Sequence, residues 1–254
     1  MLEMSSEFSK ESMDAYLREL AKEYRRLVGK NMPAEIVLIG GAAIIANYGF
    51  RESTTDIDAI IHAASAMKDA INTVGDKFDL PNGWLSSDFT QTDSYSPSLV
   101  EHSTYYKTFS NVVTVRTVEA EYLIAMKLRS GRQYKYDLSD VVGILAEAER
   151  RGKPISLEQI QTAYTNMYGS WETMPESSKE LLERVMSAKD YAAEYEKVAS
   201  EEREHAKLLK GFEQDYPGAA NAQNVDSILA KLKAMQPSEP EKKPKSKTRS
   251  LPER

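Results

Sequence analysis

The sequence predicts a mixed α/β (α+β) fold, in which a small twisted sheet is flanked by helices and followed by a helical C-terminal half. Three observations lead to this prediction. The segment 34–62 reads as strand, Gly-Gly, helix and strand, and "NVVTVRTV" at 111–118 returns to the β-branched pattern of a strand. After residue 119, apolar residues recur every three or four positions. Alternating strands and helices of this kind are typical of layered α/β domains.

The first half of the chain supplies most of the predicted sheet. Apolar residues at helical spacing predict a helix at the N-terminus, and glycines close the first β-branched run. The predicted elements are a helix over 8–29, a strand over "EIVLIGG" (35–41), a short helix over "AAIIANYG" (42–49), a strand over "DIDAIIHA" (56–63) and a helix over 65–78.

The remaining chain is predicted to contain one long loop and then mostly helices. Residues 80–104 are polar and contain Pro81, Gly83 and Pro97, which predicts a loop of the length that is usually functional or mobile. A charged stretch from Pro175 to about Phe212 predicts one long helix, which either packs on its own domain or binds a partner. The other predicted helices are 119–130, 137–150, 154–169 and 225–235.

These elements suggest four regions. They are an N-terminal helix (1–33), a core (34–150), a helical C-terminal region (151–235) and a basic tail (236–254). The tail is rich in Pro and Lys and poor in apolar residues, so we expect it to be disordered and dispensable for catalysis.

Composition narrows the classes of protein. The net charge is −6, and because the tail carries six Lys or Arg against three Glu, the other 235 residues carry −9. Such an acidic body argues against a broad nucleic-acid surface, which needs a basic face. There is no cysteine, no apolar run of membrane-spanning length and no signal-peptide pattern at the N-terminus. We therefore expect a cytoplasmic protein without a membrane partner.

Two aspartates at alternate positions open the second predicted strand. Asp56 and Asp58 should project from the same face, where two carboxylates repel unless a cation lies between them. Oxygen ligands suit Mg²⁺ or Mn²⁺, which bind carboxylates together with substrate phosphates. Gly40 and Gly41, between a strand and a helix, would let the backbone approach a phosphate at the helix N-terminus.

The segment "GGAAIIANYGFRESTTDIDAII" (40–61) resembles the signature of the nucleotidyltransferase superfamily, Gly-Gly or Gly-Ser followed by Asp-x-Asp. Within that superfamily the chain is most similar to bacterial AbiEii-type toxins and to a branch of uncharacterised nucleotidyltransferases. The similarity continues in "LPNGWLSSD" (80–88) and "YLIAMKLRSGRQYKYDLSDVVGIL" (122–145), and it covers residues 34 to 185.

The resemblance implies a nucleotidyltransferase-like fold and a metal-dependent transfer of a nucleoside monophosphate from an NTP to an acceptor. The implied acceptor is an RNA, often tRNA, and a protein or a small molecule is an equal alternative. It also implies a role in toxin–antitoxin or phage-defence systems, with an antitoxin protein as partner. It assigns metal binding to Asp56 and Asp58, and a catalytic role to both of them and to Lys127, Asp137 and Asp140. The implied nucleotide-binding residues are Gly40, Gly41, Thr55, Lys127 and Arg132.

The residues themselves leave the roles of Lys127 and the second aspartate pair open. Lys127 is the only charge in "YLIAMKL", so it either extends to the surface or meets a phosphate or carboxylate in a cleft. Asp137 and Asp140 begin a helix, where Asp137 could be an N-cap. Both also lie beside the buried stripe of that helix, and the resemblance implies that one of them works with Lys127.

Two further points stay open at this level. Many superfamily members carry a third carboxylate on a later strand, but "NVVTVRTV" has none, and Asp88 or Glu119 could replace it. Without a third carboxylate, the chain could instead be a catalytically silent module that binds a nucleotide or a partner. Lys127, Arg129, Arg132 and Lys135 form a basic patch suited to a triphosphate or an RNA backbone, or simply a solvated helix end.

Overall fold

The computed structural model describes residues 7–221 and 224–235 and confirms the predicted fold class, a mixed sheet flanked by helices with a helical C-terminal half. The strands are β1 Phe8–Ser9, β2 Ala34–Leu38, β3 Ser53–Thr54, β4 Ile57–His62, β5 Leu85–Ser86, β6 Ser103–Phe109 and β7 Val113–Val118. The α-helices are α1 Lys10–Val28, α2 Gly40–Asn47, α3 Ala66–Phe78, α4 Ser98–Glu101, α5 Ala120–Ser130, α6 Asp137–Arg150, α7 Leu157–Tyr168, α8 Glu176–Met186, α9 Tyr191–Asp215 and α10 Val225–Met235. Short 3₁₀ helices span Asp88–Gln91 and Trp171–Thr173.

The main sheet has five strands in the order β5-β4-β2-β7-β6. β2 is antiparallel to β4 and parallel to β7, β5 is parallel to β4, and β6 is antiparallel to β7. Ile36, Val37 and Leu38 of β2 are fully buried, as expected for a central strand covered on both faces. Because β2 and β4 are antiparallel, the end of β2 lies beside the start of β4, and this corner of the sheet carries the acidic pair.

The N-terminal helix begins two residues later than the sequence predicts. Phe8 and Ser9 form β1, which pairs with Thr54 and Ser53 of β3 in a separate two-stranded ladder. The Ser9 side chain then caps α1 by accepting the backbone N–H of Ser12, in a reciprocal capping box. The buried face of α1 packs against α3. The ladder therefore ties the start of the chain to the segment that leads into the acidic pair.

The prediction of a single loop over residues 80–104 is wrong. This segment contains β5, a 3₁₀ helix and α4, and it ends in β6, an edge strand that the sequence analysis missed. β6 reads "STYYKTF", in which Tyr105 is 65% exposed, and it pairs with one strand only. A polar edge strand has too few buried side chains to show an apolar alternation, so its composition resembled that of a loop.

The prediction of one continuous helix from Pro175 to Phe212 is also wrong. The stretch forms α8 and α9, separated by residues 187–190. Asp190 begins α9 by accepting the backbone N–H groups of Ala192 and Ala193 at 2.9 and 3.1 Å. The apolar spacing continues across the break, which is why periodicity alone did not reveal it.

The chain divides into two compact units at the boundary between Arg203 and Glu204. The first unit contains the sheets and the helices as far as Arg203 in α9. The second unit contains the rest of α9 and α10. The predicted disordered tail, 236–254, lies outside the described residues. Within the described residues, no helix is both long and apolar enough to cross a membrane.

Candidate active site

Asp56 and Asp58 lie at the entrance and at the second residue of β4, and both line a cavity of about 510 Å³. The neighbouring Ile57 and Ala59 are fully buried, so the alternation of the strand turns Asp58 towards the cavity. Asp56 is exposed, and Asp58 is partly buried. The structure thus brings the two predicted aspartates to one cavity at the start of β4.

No cation compensates this pair within the described part of the chain, since no Lys or Arg nitrogen lies within ion-pair distance of either carboxylate. Asp56 accepts a long hydrogen bond of 3.4 Å from the Thr54 hydroxyl. Burial raises the pKa of Asp58 to about 6, and the nearby charge of Asp56 raises it further against the opposing effect of Lys127 and other cations. A proton or a cation would relieve the repulsion between the two carboxylates.

The two glycines serve different purposes. Gly40 begins α2 with φ of +53°, and a Cβ atom there would lie 3.7 Å from Asp58 Oδ2. At Gly41 a Cβ atom would lie 2.3 Å from Thr54 Oγ1 and 3.1 Å from Arg51 Nη2, so no side chain fits. Gly41 is therefore explained by close packing, whereas Gly40 brings a helix start beside the acidic pair.

The start of α2 offers backbone donors to the cavity. No side chain caps this helix, and both glycines line the cavity wall. The first N–H groups of a helix have no partner within it and carry the positive end of the helix dipole. An anion in the cavity could therefore be bound by backbone amides next to Asp58.

Lys127 does not extend to the surface, which rules out the first of its two alternatives. It is 6% exposed on α5, and its Nζ lies 2.9 Å from Asp137 Oδ1 and 2.9 Å from Asp140 Oδ2. Burial opposes its charge, but the two carboxylates outweigh burial and raise the pKa of Lys127 above its ordinary value. The lysine is charged and meets both aspartates of α6.

Asp137 and Asp140 are not caps of α6, because Tyr136 occupies the N-cap position and Asp137 is the first helical residue. Both are 1% exposed. Arg132 forms a fork-like pair with Asp137 at 2.6 and 3.2 Å, and Arg51 binds Asp140 at 2.9 Å. Burial opposes ionisation of Asp137, yet the neighbouring cations hold its pKa well below its usual range.

We call this group of three cations and two carboxylates the charged framework; its members are Arg51, Lys127, Arg132, Asp137 and Asp140. All but Asp140 line the cavity. Because each of the two carboxylates meets two of the three cations, the framework fixes the start of α6 and the end of α5 against the segment before the acidic pair.

Two residues of this region were missed by the sequence analysis. Arg51 stands in the segment between α2 and β3, where its only signal was a single arginine preceding the acidic pair. Glu202 of α9 is 3% exposed and accepts the backbone N–H groups of Leu138 and Ser139 at 2.8 and 3.3 Å. Burial raises the pKa of Glu202 to about 7 against these hydrogen bonds. Nothing in the local sequence indicates that a residue of α9 reaches the start of α6.

The other predicted residues divide into those at the cavity and those away from it. Thr55, Arg132 and Lys135 line the cavity. Arg129 does not; it donates to the Thr173 carbonyl at 2.8 Å and lies over the ring of Tyr168, so the predicted basic patch is divided.

Only one of the two candidates for a third carboxylate reaches the cavity. Asp88 lines it, two residues after Ser86, which pairs with Asp58 across the parallel strands β5 and β4. Glu119 is the N-cap of α5, and its carboxylate lies 3.6 Å from His102, away from the cavity wall.

The donor atoms fit a hard cation that shares its ligands with a substrate. In the described ranges, no group of three or more His, Asp or Glu side chains is arranged to hold a metal ion by itself. Asp56 and Asp58 offer carboxylate oxygens, and Mg²⁺ typically takes one or two carboxylates and completes its coordination with water and phosphate oxygens. The chemistry of the pair therefore suits Mg²⁺ bound together with a phosphorylated ligand.

A mixed sheet with a glycine-led helix and an Asp-x-Asp strand facing one cavity agrees with the fold that the resemblance to nucleotidyltransferases implies. The chain belongs to the family described as "Nucleotidyltransferase of unknown function (DUF6036)", which matches residues 15–198. No curated protein and no solved structure matches the chain. The family assignment supports the superfamily resemblance of the sequence and leaves the AbiEii-type branch as a proposal.

Proposed function

We propose that this protein is a metal-dependent nucleotidyltransferase that moves a nucleoside monophosphate from an NTP to an acceptor. The observation that carries the proposal is the uncompensated pair Asp56 and Asp58, placed beside the glycine-led start of α2 in a cavity of about 510 Å³. The cavity volume is in the range of small-molecule sites. Membership of a nucleotidyltransferase family supports the reaction class.

In this proposal the two aspartates hold Mg²⁺ or Mn²⁺ against the phosphates. The bound metal ion would neutralise charge at the α-phosphate and orient it. An acceptor oxygen forms the new bond to the α-phosphorus while the bond to the pyrophosphate leaving group breaks. The backbone amides at Gly40 and Gly41 would bind phosphate oxygens, and the exposed Thr55, which lines the same cavity, would add a hydroxyl.

We assign the other predicted residues to positioning. Lys127, Asp137 and Asp140 hold the cavity wall through the charged framework, and Arg132 joins them. An ammonium group has three donors, and two of those of Lys127 point to Asp137 and Asp140, which leaves one for a phosphate oxygen. Asp88 is the cavity carboxylate that would accept the proton of the acceptor hydroxyl.

The acceptor is proposed from the resemblance to AbiEii-type toxins, which points to RNA, most often tRNA, and to an antitoxin as partner. The acidic charge of the body restricts such an acceptor to a local contact, since an extended RNA surface needs a basic face. The alternative of a silent binding module rested on a missing third carboxylate. Asp88 lines the same cavity as Asp56 and Asp58, and this supports the enzyme over the silent module.

The test is incubation of the full chain with each labelled NTP, Mg²⁺ and total cellular RNA, followed by separation of RNA, protein and small molecules. We expect one labelled product, and its loss in Asp56→Asn and Asp58→Asn. Asp76→Asn, an exposed aspartate of α3, is the matched control and should retain transfer. Transfer at the parental rate by Asp58→Asn would refute the proposed site, and label in protein or in a small molecule would replace RNA as acceptor.

A further inference from the structure

The loop Gly131–Tyr136 is a fixed part of the cavity wall. Gly131 ends α5 with φ of +57°, in the left-handed conformation that favours glycine. Arg132 is held by Asp137, and the ring of Tyr136 lies 4.6 Å from the Arg51 guanidinium carbon. The loop is thus anchored at both ends by the charged framework while its middle faces the cavity.

The cations of the cavity wall are unequally available. Arg51, Lys127 and Arg132 each form ion pairs with framework carboxylates at 2.6 to 2.9 Å. Lys135 also lines the cavity, is exposed, and forms an ion pair with no described carboxylate. The N–H donors of its ammonium group are therefore not engaged by an ion pair among the described residues.

A triphosphate needs such a group. It carries more negative charge than one divalent cation neutralises, and the three framework cations are already engaged by two buried aspartates, with only one positive charge in excess. Lys135 and Asp58 line the same cavity, so the lysine and the proposed metal site face one ligand.

We propose that Lys135 binds the terminal phosphates of the NTP, the part that leaves as pyrophosphate. This inference rests on the proposed nucleotidyl transfer and adds a residue that the sequence resemblance did not assign to the nucleotide. Lys135 is a positioning residue for the leaving group, and the anchored loop holds it in place. The framework would accordingly support nucleotide binding indirectly, by fixing the loop that carries Lys135.

Inorganic tripolyphosphate with Mg²⁺ is the appropriate probe, because it has the charge of the triphosphate without a base or ribose. Calorimetric titration into the full chain should show binding that weakens about tenfold in Lys135→Gln, the usual size of the loss of a charge-assisted hydrogen bond at an accessible site. Lys135→Arg should restore most of the affinity. Lys153→Gln removes an exposed lysine of the turn after α6, away from the cavity, and should bind as the parent does.

The outcomes separate this inference from the proposed function. Unchanged tripolyphosphate affinity in Lys135→Gln, with a parent that binds the probe, overturns the inference and leaves the transferase proposal intact. If Lys135→Gln instead weakens binding of RNA alone, Lys135 is an acceptor contact and the inference is again overturned. A parent that binds no tripolyphosphate in the presence of Mg²⁺ contradicts both proposals. Equal melting temperatures for parent and Lys135→Gln are expected, since the side chain is exposed.

Discussion

Two pairs of aspartates face the same region of this protein, and their surroundings differ completely. Asp137 and Asp140 are buried and meet three cations, and Asp137 has a lowered pKa. Asp56 and Asp58 are more accessible and meet no cation among the described residues, and Asp58 has a raised pKa. The first pair is held by ion pairs within the fold, whereas the second has none among the described residues and, in our proposal, gains a cation on binding.

The difference shows how to separate a structural from a functional charge cluster. A buried carboxylate that is fully paired contributes to one defined arrangement, and removing its partner leaves an uncompensated charge. Two carboxylates that repel each other are unfavourable in the free protein, and a bound cation relieves this repulsion. Groups with perturbed pKa values are common at active sites for reasons of this kind. The sequence presents both pairs as Asp residues two or three positions apart, without this distinction.

The largest expected effect is the loss of stability in Lys127→Met. This change keeps an apolar stem and removes the buried cation shared by Asp137 and Asp140, each of which keeps one arginine. The free energy of unfolding should fall by about 2 kcal/mol, because two charge-assisted contacts inside the fold are lost. Urea denaturation followed by circular dichroism measures it, and Lys153→Met, at an exposed position, is the control. A Lys127→Met protein as stable as its parent would show that the charged framework does not stabilise the fold.

Asp58→Asn should raise the free energy of unfolding, in contrast to Lys127→Met. The amide keeps the shape of the side chain and removes the repulsion from Asp56, so the free energy of unfolding in the absence of metal should rise, on the order of 1 kcal/mol after solvent screening. Asp137→Asn, measured in parallel, should lower it, because Arg132 and Lys127 lose their charged partner. Destabilisation by both changes would erase the contrast between the two pairs.

The rise in the free energy of unfolding that we expect for Asp58→Asn should depend on pH. The pKa of Asp58 is higher in the folded chain than the ordinary value of 3.8 and lies at about 6, so the folded state holds the extra proton between these values. The unfolding free energy of the parent therefore falls relative to the variant as pH rises through this window. Thermal denaturation should give equal melting temperatures below the window and the full difference above pH 6. Apparent Mg²⁺ affinity of the parent should increase over the same range, since the proton competes with the metal.

At pH 5, the smallest expected change in the free energy of unfolding belongs to Glu202→Gln, at the edge of the charged framework. The amide oxygen can still accept an N–H from the start of α6, so at pH 5 the free energy of unfolding should change by less than about 1 kcal/mol. Burial raises the pKa of Glu202 from 4.5 to about 7, so ionisation in the parent lowers its stability as pH rises to 7. In urea titrations, the free energy of unfolding of the variant should therefore rise relative to that of the parent between pH 5 and pH 8. A relative loss over that range would mean that the ionised carboxylate stabilises α6.

Local sequence patterns predicted most of the elements that build the site. The β-branched run before Gly40, the helical spacing of α5 and α6, and the alternation of Asp56 with Asp58 are properties of a few neighbouring residues, and the structure has these elements close to the predicted bounds. The patterns were insufficient where burial is weak or where spacing continues across a break. The edge strand β6 and the interruption between α8 and α9 are examples of these two situations.

Local sequence patterns were sufficient to predict the α/β class and the acidic pair at the start of a strand, and they singled out Lys127 as a lone charge in an apolar helix without showing that it is buried. The tertiary structure was needed to show which charged side chains form ion pairs. Arg51 and Asp140 are 89 positions apart, and Glu202 lies 64 positions from Leu138. Ion pairing depends on distance through space and on burial, and neither follows from spacing along the chain. For that reason Asp137 and Asp140 are ion-paired within the fold, while Asp56 and Asp58 have no ion pair among the described residues.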